Sequence, residues 1–188
     1  MARASLVNSG VLPNSVTLAS KAEQRGGVAY KQRRLLYWNV GGRFIDVSAA
    51  AGPAVGAARS SRGSAAGDLD DDGRLEIVVS NIGDRPSILK NLGPTRHWLL
   101  VECVGTRANR DAIGARVWVS TGGRRLSGEV QGASSYLSQN DHRLHFGLSD
   151  ASRYDGIEVL WPGGRREVFP AGDADRTVAL VEGKGRAP

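Results

Sequence analysis

Cysteine is nearly absent: Cys103 is the only one among 188 residues, so no internal disulfide can form and no cysteine-based metal site can be assembled. Long apolar runs are missing as well. No stretch approaches the roughly 20 apolar residues of a membrane-spanning helix, and the opening "MARASLVNSGVLPNSV" lacks the apolar core of a secretory signal. Aromatic residues make up only 6% of the chain, and no basic face interleaved with stacking aromatics is evident. Lys and Arg (25) outnumber Asp and Glu (19), giving +6 and a pI near 10. The arginines, however, fall in pairs beside glycine, as in "QRRLL", "GGRRLSG" and "GGRREVF". They read as charges at hairpin ends, and nucleic acid is not an expected partner.

What the chain has is punctuation. Its 25 Gly and 7 Pro separate short apolar runs, the pattern of an all-β protein with tight turns. Residues 1–33 show no convincing period and are expected to be a lead-in. Beyond them, "LLYWN", "GGRFIDVS", "AAGPAVG", "LEIVVSN" and "PSILKNLG" read as short strands joined by turns. In "LEIVVSN", Leu75, Ile77 and Val79 alternate with Glu76, Val78 and Ser80, which predicts a half-buried strand. The Gly and Pro of "NLGPTRH" predict a boundary between a segment at 34–93 and a second β domain at 96–184. In the latter, "WLLVECVG", "RLHFGLS" and "RTVALVEG" are strand candidates. "ARVWVSTGGRRLSGEVQG" and "GIEVLWPGGRREVF" read as hairpins turning at Gly122–Gly123 and at Pro162–Gly164. Short strands at this spacing suggest a small sandwich or barrel-like domain.

One stretch runs against the basic whole. In "GDLDDDGRLEIVVSN", Asp68, Asp70, Asp71, Asp72 and Glu76, five carboxylates against the single Arg74, leave a formal −4. Each like-charged pair costs about 1 kcal/mol at close range even in water. From Asp68 the spacing is D-x-D-x-D-G-x-x-E, a calcium-loop grammar. Alternate positions turn oxygens inward, Gly73 permits the sharp turn, and the backbone carbonyl of Arg74 adds a ligand. Side-chain ligands are then Asp68, Asp70, Asp72 and Glu76, with Asp71 facing solvent. Hard oxygen donors in this number favour Ca²⁺ over Mg²⁺. An EF-hand is excluded, because its position 12 is Val79 here and a strand follows the loop. The competing reading is an Asp-rich surface turn.

"LLYWNVGGRFIDVSAAAG" followed by "RGSAAGDLDDDGRLEIVVSN" resembles an FG-GAP/VCBS-type repeat, a calcium-loop-bearing β-propeller blade. "NRDAIGARV", "GASSYLSQND" and "WPGG" in the second half are similar to the ASPIC/UnbV domain of cartilage-acidic-protein-like repeat proteins. The resemblance implies partial propeller blades followed by a small β domain, structural Ca²⁺, an extracellular or periplasmic location, and a non-enzymatic role in binding or adhesion. It also brings, by association, a rival label of enediyne biosynthesis, an enzyme or accessory protein with a small-molecule site in the C-terminal domain. One clear repeat where relatives carry several leads to the expectation of a C-terminal fragment whose exposed blade edge associates with a partner.

Other clusters carry weaker signals. His142 and His145 are three apart, so on a strand they diverge and zinc is not expected. Serines near "NDH" lack a nucleophile elbow, so hydrolase chemistry is not expected. Asn109, Arg110 and Asp111, with Ser134, Ser135, Tyr136, Gln139 and Asn140, are candidates for contacting a protein or glycan partner. The first group also has a structural reading, an Arg-to-Asp pair ordering its loop. Trp98, Trp118 and Trp161 are expected as core or interface anchors.

Overall fold

The computed structural model describes residues 30–188 in full and, before them, the backbone of two short strands. Most of the expected lead-in at 1–33 therefore lies outside the described residues. Contacts divide the chain into two units, one of Met1–Thr95 with Ala133–Asn140, the other of Arg96–Gly132 with Asp141–Pro188.

The first unit runs β1 (Arg3–Ala4), β2 (Thr17–Ser20), β3 (Arg34–Val40), β4 (Arg43–Asp46), α1 (Pro53–Gly56), β5 (Ser61–Gly67), β6 (Glu76–Asn81) and β7 (Ser87–Asn91). Two sheets result, ordered β1-β7-β6-β5 and β2-β3-β4. Tight turns set most of this. Gly41 and Gly42 at φ 58° and 88° close the β3–β4 hairpin in the left-handed region that side chains avoid. "AAGPAVG", expected as a strand, instead forms the single helical turn α1, entered through Gly52 at φ 92° with Pro at its start. Proline's fixed φ suits a first helical turn and its missing N–H disfavours a ladder. "SRGSAAG", with no β-branched residue to mark it, becomes β5 because it pairs with β6 from Ser61↔Asn81 to Gly67↔Glu76.

Leu36, Ala51, Ala54, Val55, Ile77, Val79 and Leu89 form the core of this unit. Arg34, 5% exposed, lies beside that core and ties its elements together. Its guanidinium donates to Ala54 O at 3.0 Å, Ser61 Oγ at 3.1 Å, Asn81 Oδ1 at 3.3 Å and Ser87 Oγ at 2.7 Å. These acceptors come from α1, β5, β6 and β7, and all are neutral, so the charge is solvated by dipoles. Burial, followed by the like charge of Arg59, pulls the Arg34 pKa below its usual value.

The second unit comprises β8 (His97–Val104), β9 (Arg116–Thr121), β10 (Arg124–Glu129), β11 (Leu144–Ser149), β12 (Arg153–Tyr154), β13 (Gly156–Leu160), β14 (Arg166–Phe169), β15 (Gly172–Asp173) and β16 (Arg176–Val181). One sheet is β10-β9-β13-β14 and another β11-β8-β16, with β12 paired to β15. The two expected hairpins form: Gly122 and Gly123 turn at φ 52° and 73°, and Gly163 and Gly164 at φ 100° and 94°. In β9, Val117 and Val119 are buried while Arg116 is exposed and Trp118 half-buried, the alternation of a strand with one face on a core. Leu99, Val101 and Cys103 of β8 meet Val117, Val119, Ile157, Val159, Phe146, Leu148 and Trp161 in one cluster. Burial, then the charge of Glu102, pushes the Cys103 thiol up to about 12, so it acts as a small core hydrophobe.

Among the described residues the protein is all-β apart from that one helical turn. Among the described residues there is neither a propeller nor a closed barrel: the sheets are separate and open at both ends of their strand order. Of the tryptophans, Trp161 is 1% exposed and Trp98 9%, whereas Trp118 lies under two guanidiniums, Arg125 and Arg166, at 5.1 and 5.5 Å.

Two substitutions test these cores. Trp161→Ala should destabilise the second unit by about 3–5 kcal/mol, and Arg34→Ala the first by about 3 kcal/mol, since a buried side chain that bridges α1, β5, β6 and β7 is lost and the buried Ala54 carbonyl loses its donor. Urea unfolding measures both, and a loss below about 1 kcal/mol at either position would contradict the assigned role.

Candidate metal centre

The acidic loop joins β5 to β6, and its shape follows from two left-handed residues, Asp71 at φ 54° and Gly73 at φ 82°. Those kinks let Asp68 reach across it. Asp68, 2% exposed, accepts from the Asp72 N–H at 3.1 Å and the Gly73 N–H at 2.8 Å. Asp72 accepts from the Arg74 N–H at 2.9 Å and pairs with the Arg74 guanidinium. Arg74 in turn reaches Gly93 O at 3.4 Å and Thr95 Oγ1 at 3.3 Å. Asp71 is exposed, as its even position predicts.

Glu76 departs from the expected alternation. As the first residue of β6 it should sit opposite the core face, yet it is only 2% exposed. Its Oε2 accepts from the Leu69 N–H at 3.2 Å, while its Oε1 is buried and makes no hydrogen bond. One oxygen from each of Asp68, Asp70 and Glu76 lies within 4.8 Å of the others. Burial, and then the charges of Asp70 and Asp72, raise the Glu76 pKa. At Asp72 burial acts in the same direction but is outweighed by hydrogen bonds from Arg74, and the pKa falls.

A second cation reaches the loop from outside it. Lys90, on β7, places Nζ against Asp70 Oδ2 and 3.9 Å from Asp72 Oδ2. The bond to Asp70 holds the Lys90 ammonium above its usual pKa. Nothing in the local sequence marks Lys90, which lies 20 positions from Asp70 and arrives only through the β6–β7 pairing.

Buried carboxylates elsewhere in the chain show how unusual Glu76 is. Glu182, 5% exposed, accepts from the N–H groups of Thr106, Arg107 and Ala108 at 2.8–3.0 Å. Glu167, 1% exposed, takes the N–H groups of Gly183 and Gly185 and pairs with Arg165. Backbone donors satisfy both. Glu76 alone among these keeps a buried oxygen without a donor, beside two further carboxylates. That donor set, all hard oxygen, fits a divalent cation.

The candidate partner-binding residues are placed differently from one another. Asn109 closes its own loop, accepting from the Ile113 N–H at 2.8 Å and donating to Ile113 O at 3.0 Å. Arg110 and Asp111 are exposed, and no ion pair joins them among the described residues. Glu182 and Asn109, rather than an Arg-to-Asp pair, order that loop. In the first unit, Ser135 Oγ accepts from the Ser64 N–H at 3.4 Å and Asn140 Oδ1 from the Ala66 N–H at 2.9 Å. Both donors belong to β5, the end strand of its sheet. Gly63 permits the approach, since a Cβ there would fall 1.9 Å from Ser138 Oγ. Ser134 Oγ takes the Asn140 N–H at 3.1 Å, Gln139 is exposed, and Tyr136 is 66% exposed at the turn. His145 stacks on Trp98 with ring centroids 6.4 Å apart.

Residues 105–187 match the family model described as ASPIC and UnbV. No curated protein matches the chain.

The Glu182 arrangement yields a pH prediction. Hydrogen bonds from Ala108 and Arg107, and then Thr106, outweigh burial and hold its carboxyl below the ordinary glutamate range. Its stabilising contribution is therefore complete above about pH 4.3 and vanishes as the pH falls through the lower folded value. Glu182→Gln should be less stable than wild type at neutral pH, with the gap closing on acidification. Urea midpoints across that range decide it, and a gap independent of pH would refute the assignment.

Proposed function

We propose that the loop from Asp68 to Glu76 binds one Ca²⁺ as a structural ion, in a non-enzymatic protein that works by binding or adhesion. The observation that carries this reading is the buried, undonated Glu76 Oε1, clustered with Asp68 and Asp70. A group of that kind costs about 1–3 kcal/mol or more when left unmet. Bound Ca²⁺ supplies two positive charges and accepts six to eight oxygens. Asp68, Asp70 and Glu76 are the clustered donors. Asp72 and the Arg74 carbonyl complete the ligand set, Asp72 by exchanging its ion pair with Arg74 for the metal. Mg²⁺ is disfavoured because it retains waters and seldom takes this many protein carboxylates.

The match at 105–187 supports reading the second unit as an ASPIC/UnbV-like β domain, with its two sheets sharing a core in the manner of a sandwich. The first unit then reads as an FG-GAP/VCBS-like repeat, a propeller segment, which fits the loop's grammar and the strand that follows it. With these goes an extracellular or periplasmic setting, where free calcium suits modules with dissociation constants of roughly 10⁻⁴ to 10⁻³ M. Partners are proteins or glycans.

Thermal unfolding in EDTA, Ca²⁺ and Mg²⁺ tests the proposal. At a hundredfold excess over its dissociation constant, Ca²⁺ should stabilise by about 2.7 kcal/mol, and Asp70→Ala/Asp72→Ala should abolish the gain. Glu76→Gln separates a metal ligand from a structural acid: it should raise stability in EDTA by removing a buried charge, and lose the Ca²⁺ response. A Glu76→Gln variant that is weaker in EDTA yet still responds to Ca²⁺ would overturn the assignment.

A further inference from the structure

Of the two cations on the acidic loop, only one is held by carboxylates alone. The Arg74 guanidinium is anchored by Asp72 but also by Gly93 O and Thr95 Oγ1. It belongs to the loop's own framework. The Lys90 ammonium touches Asp70 Oδ2 and approaches Asp72 Oδ2, and its side chain is 33% exposed. A lysine ammonium is a compact, strongly hydrated charge on a flexible stem, so it can return to water at small cost. Its grip is also incomplete, because with Lys90 in place Glu76 Oε1 still has no donor.

We propose that Lys90 is the tethered counter-cation of the acidic loop: its ammonium neutralises Asp70 in the ion-free protein, is displaced when a divalent cation enters, and thereby sets the affinity of the site. The inference rests on the calcium reading above and adds to it a residue outside the loop motif. Both cations draw on the single negative charge of Asp70. A monovalent cation about 6 Å from a divalent one repels it, in water, enough for about a tenfold loss of affinity. Displacement relieves that repulsion but gives up the Lys90–Asp70 contact, so the affinity is lowered along either route.

The consequence reaches beyond the loop. Lys90 follows Leu89, a residue of the first unit's core, and β7 pairs with β6 through Ile77↔Leu89. Occupancy of the site is thus reported on β7 as a lysine head group either docked on Asp70 or released to solvent. A freed amine is chemically legible, since acylating and alkylating reagents attack the unprotonated, unpaired form.

Calorimetric titration of the full chain with CaCl₂ tests the proposal, comparing wild type with Lys90→Met, Lys90→Gln and a net-charge control, Lys184→Met. Both Lys90 variants should bind Ca²⁺ about tenfold more tightly than wild type, while the control stays within about twofold. In parallel, reductive methylation read by mass spectrometry should modify Lys90 faster in Ca²⁺ than in EDTA, with Lys184 unchanged. Binding by the Lys90 variants but not by wild type would also support the proposal, as a site blocked by its own lysine. Equal affinities in wild type and both variants would overturn the role of Lys90 and leave the calcium site standing. No binding by any of them would overturn the calcium reading itself, and this inference with it.

Discussion

The first unit is organised around a carboxylate that its fold buries without fully answering. Glu76 begins β6, and β6 is the strand that joins β5 to β7. Its neighbours Ile77 and Val79 carry the core. Moving Glu76 outward would therefore require shifting the strand, and a one-residue slip reverses every side chain on it. The acid stays buried, and the loop before it must supply whatever neutralises it. Asp72 pairs with Arg74, and Asp68, although it accepts two main-chain N–H groups, still clusters with Asp70 and Glu76 against an ammonium borrowed from β7.

The same chain shows the other solution to a buried acid. Glu182 and Glu167 of the second unit are met by backbone N–H groups of tight turns, and Glu167 by the Arg165 guanidinium as well. Such sites rigidify a loop and need nothing from outside. Around Glu76 the concentration of acids reverses the balance, since each added carboxylate raises the cost of its neighbours. Two burial problems of the same chemical type thus end differently: backbone donors meet the acid in one unit, and in the other a buried carboxylate oxygen keeps no donor.

Much of this was legible from local patterns. The hairpins at Gly122–Gly123 and Gly163–Gly164 follow from paired glycines between alternating apolar residues, because positive φ is a property of the residue itself. The strands β6, β8, β9, β11, β13 and β16 follow from β-branched or apolar runs. The places where reading failed are equally physical. α1 lies in an apolar run whose proline disfavours a strand ladder and suits a first helical turn, and β5 has no β-branched residue and exists because β6 accepts it. An Arg110–Asp111 pair was a reasonable guess from adjacency, but Glu182, some 70 positions away, orders that loop instead.

The sequence by itself determined the chemistry available: five acids at a spacing that folds into a tight oxygen-lined loop, a glycine where the turn needs one, and no thiol or histidine cluster to compete for a metal. Only the tertiary structure decided which of those acids is buried, which is already spent, and which cation stands against them. It also decided that Ser135 and Asn140 serve the edge of β5 rather than standing free. The reason is range. Turn geometry and strand propensity depend on a residue and its neighbours, whereas burial, ion pairing and edge contacts depend on residues 20 to 74 positions apart, which no local pattern encodes.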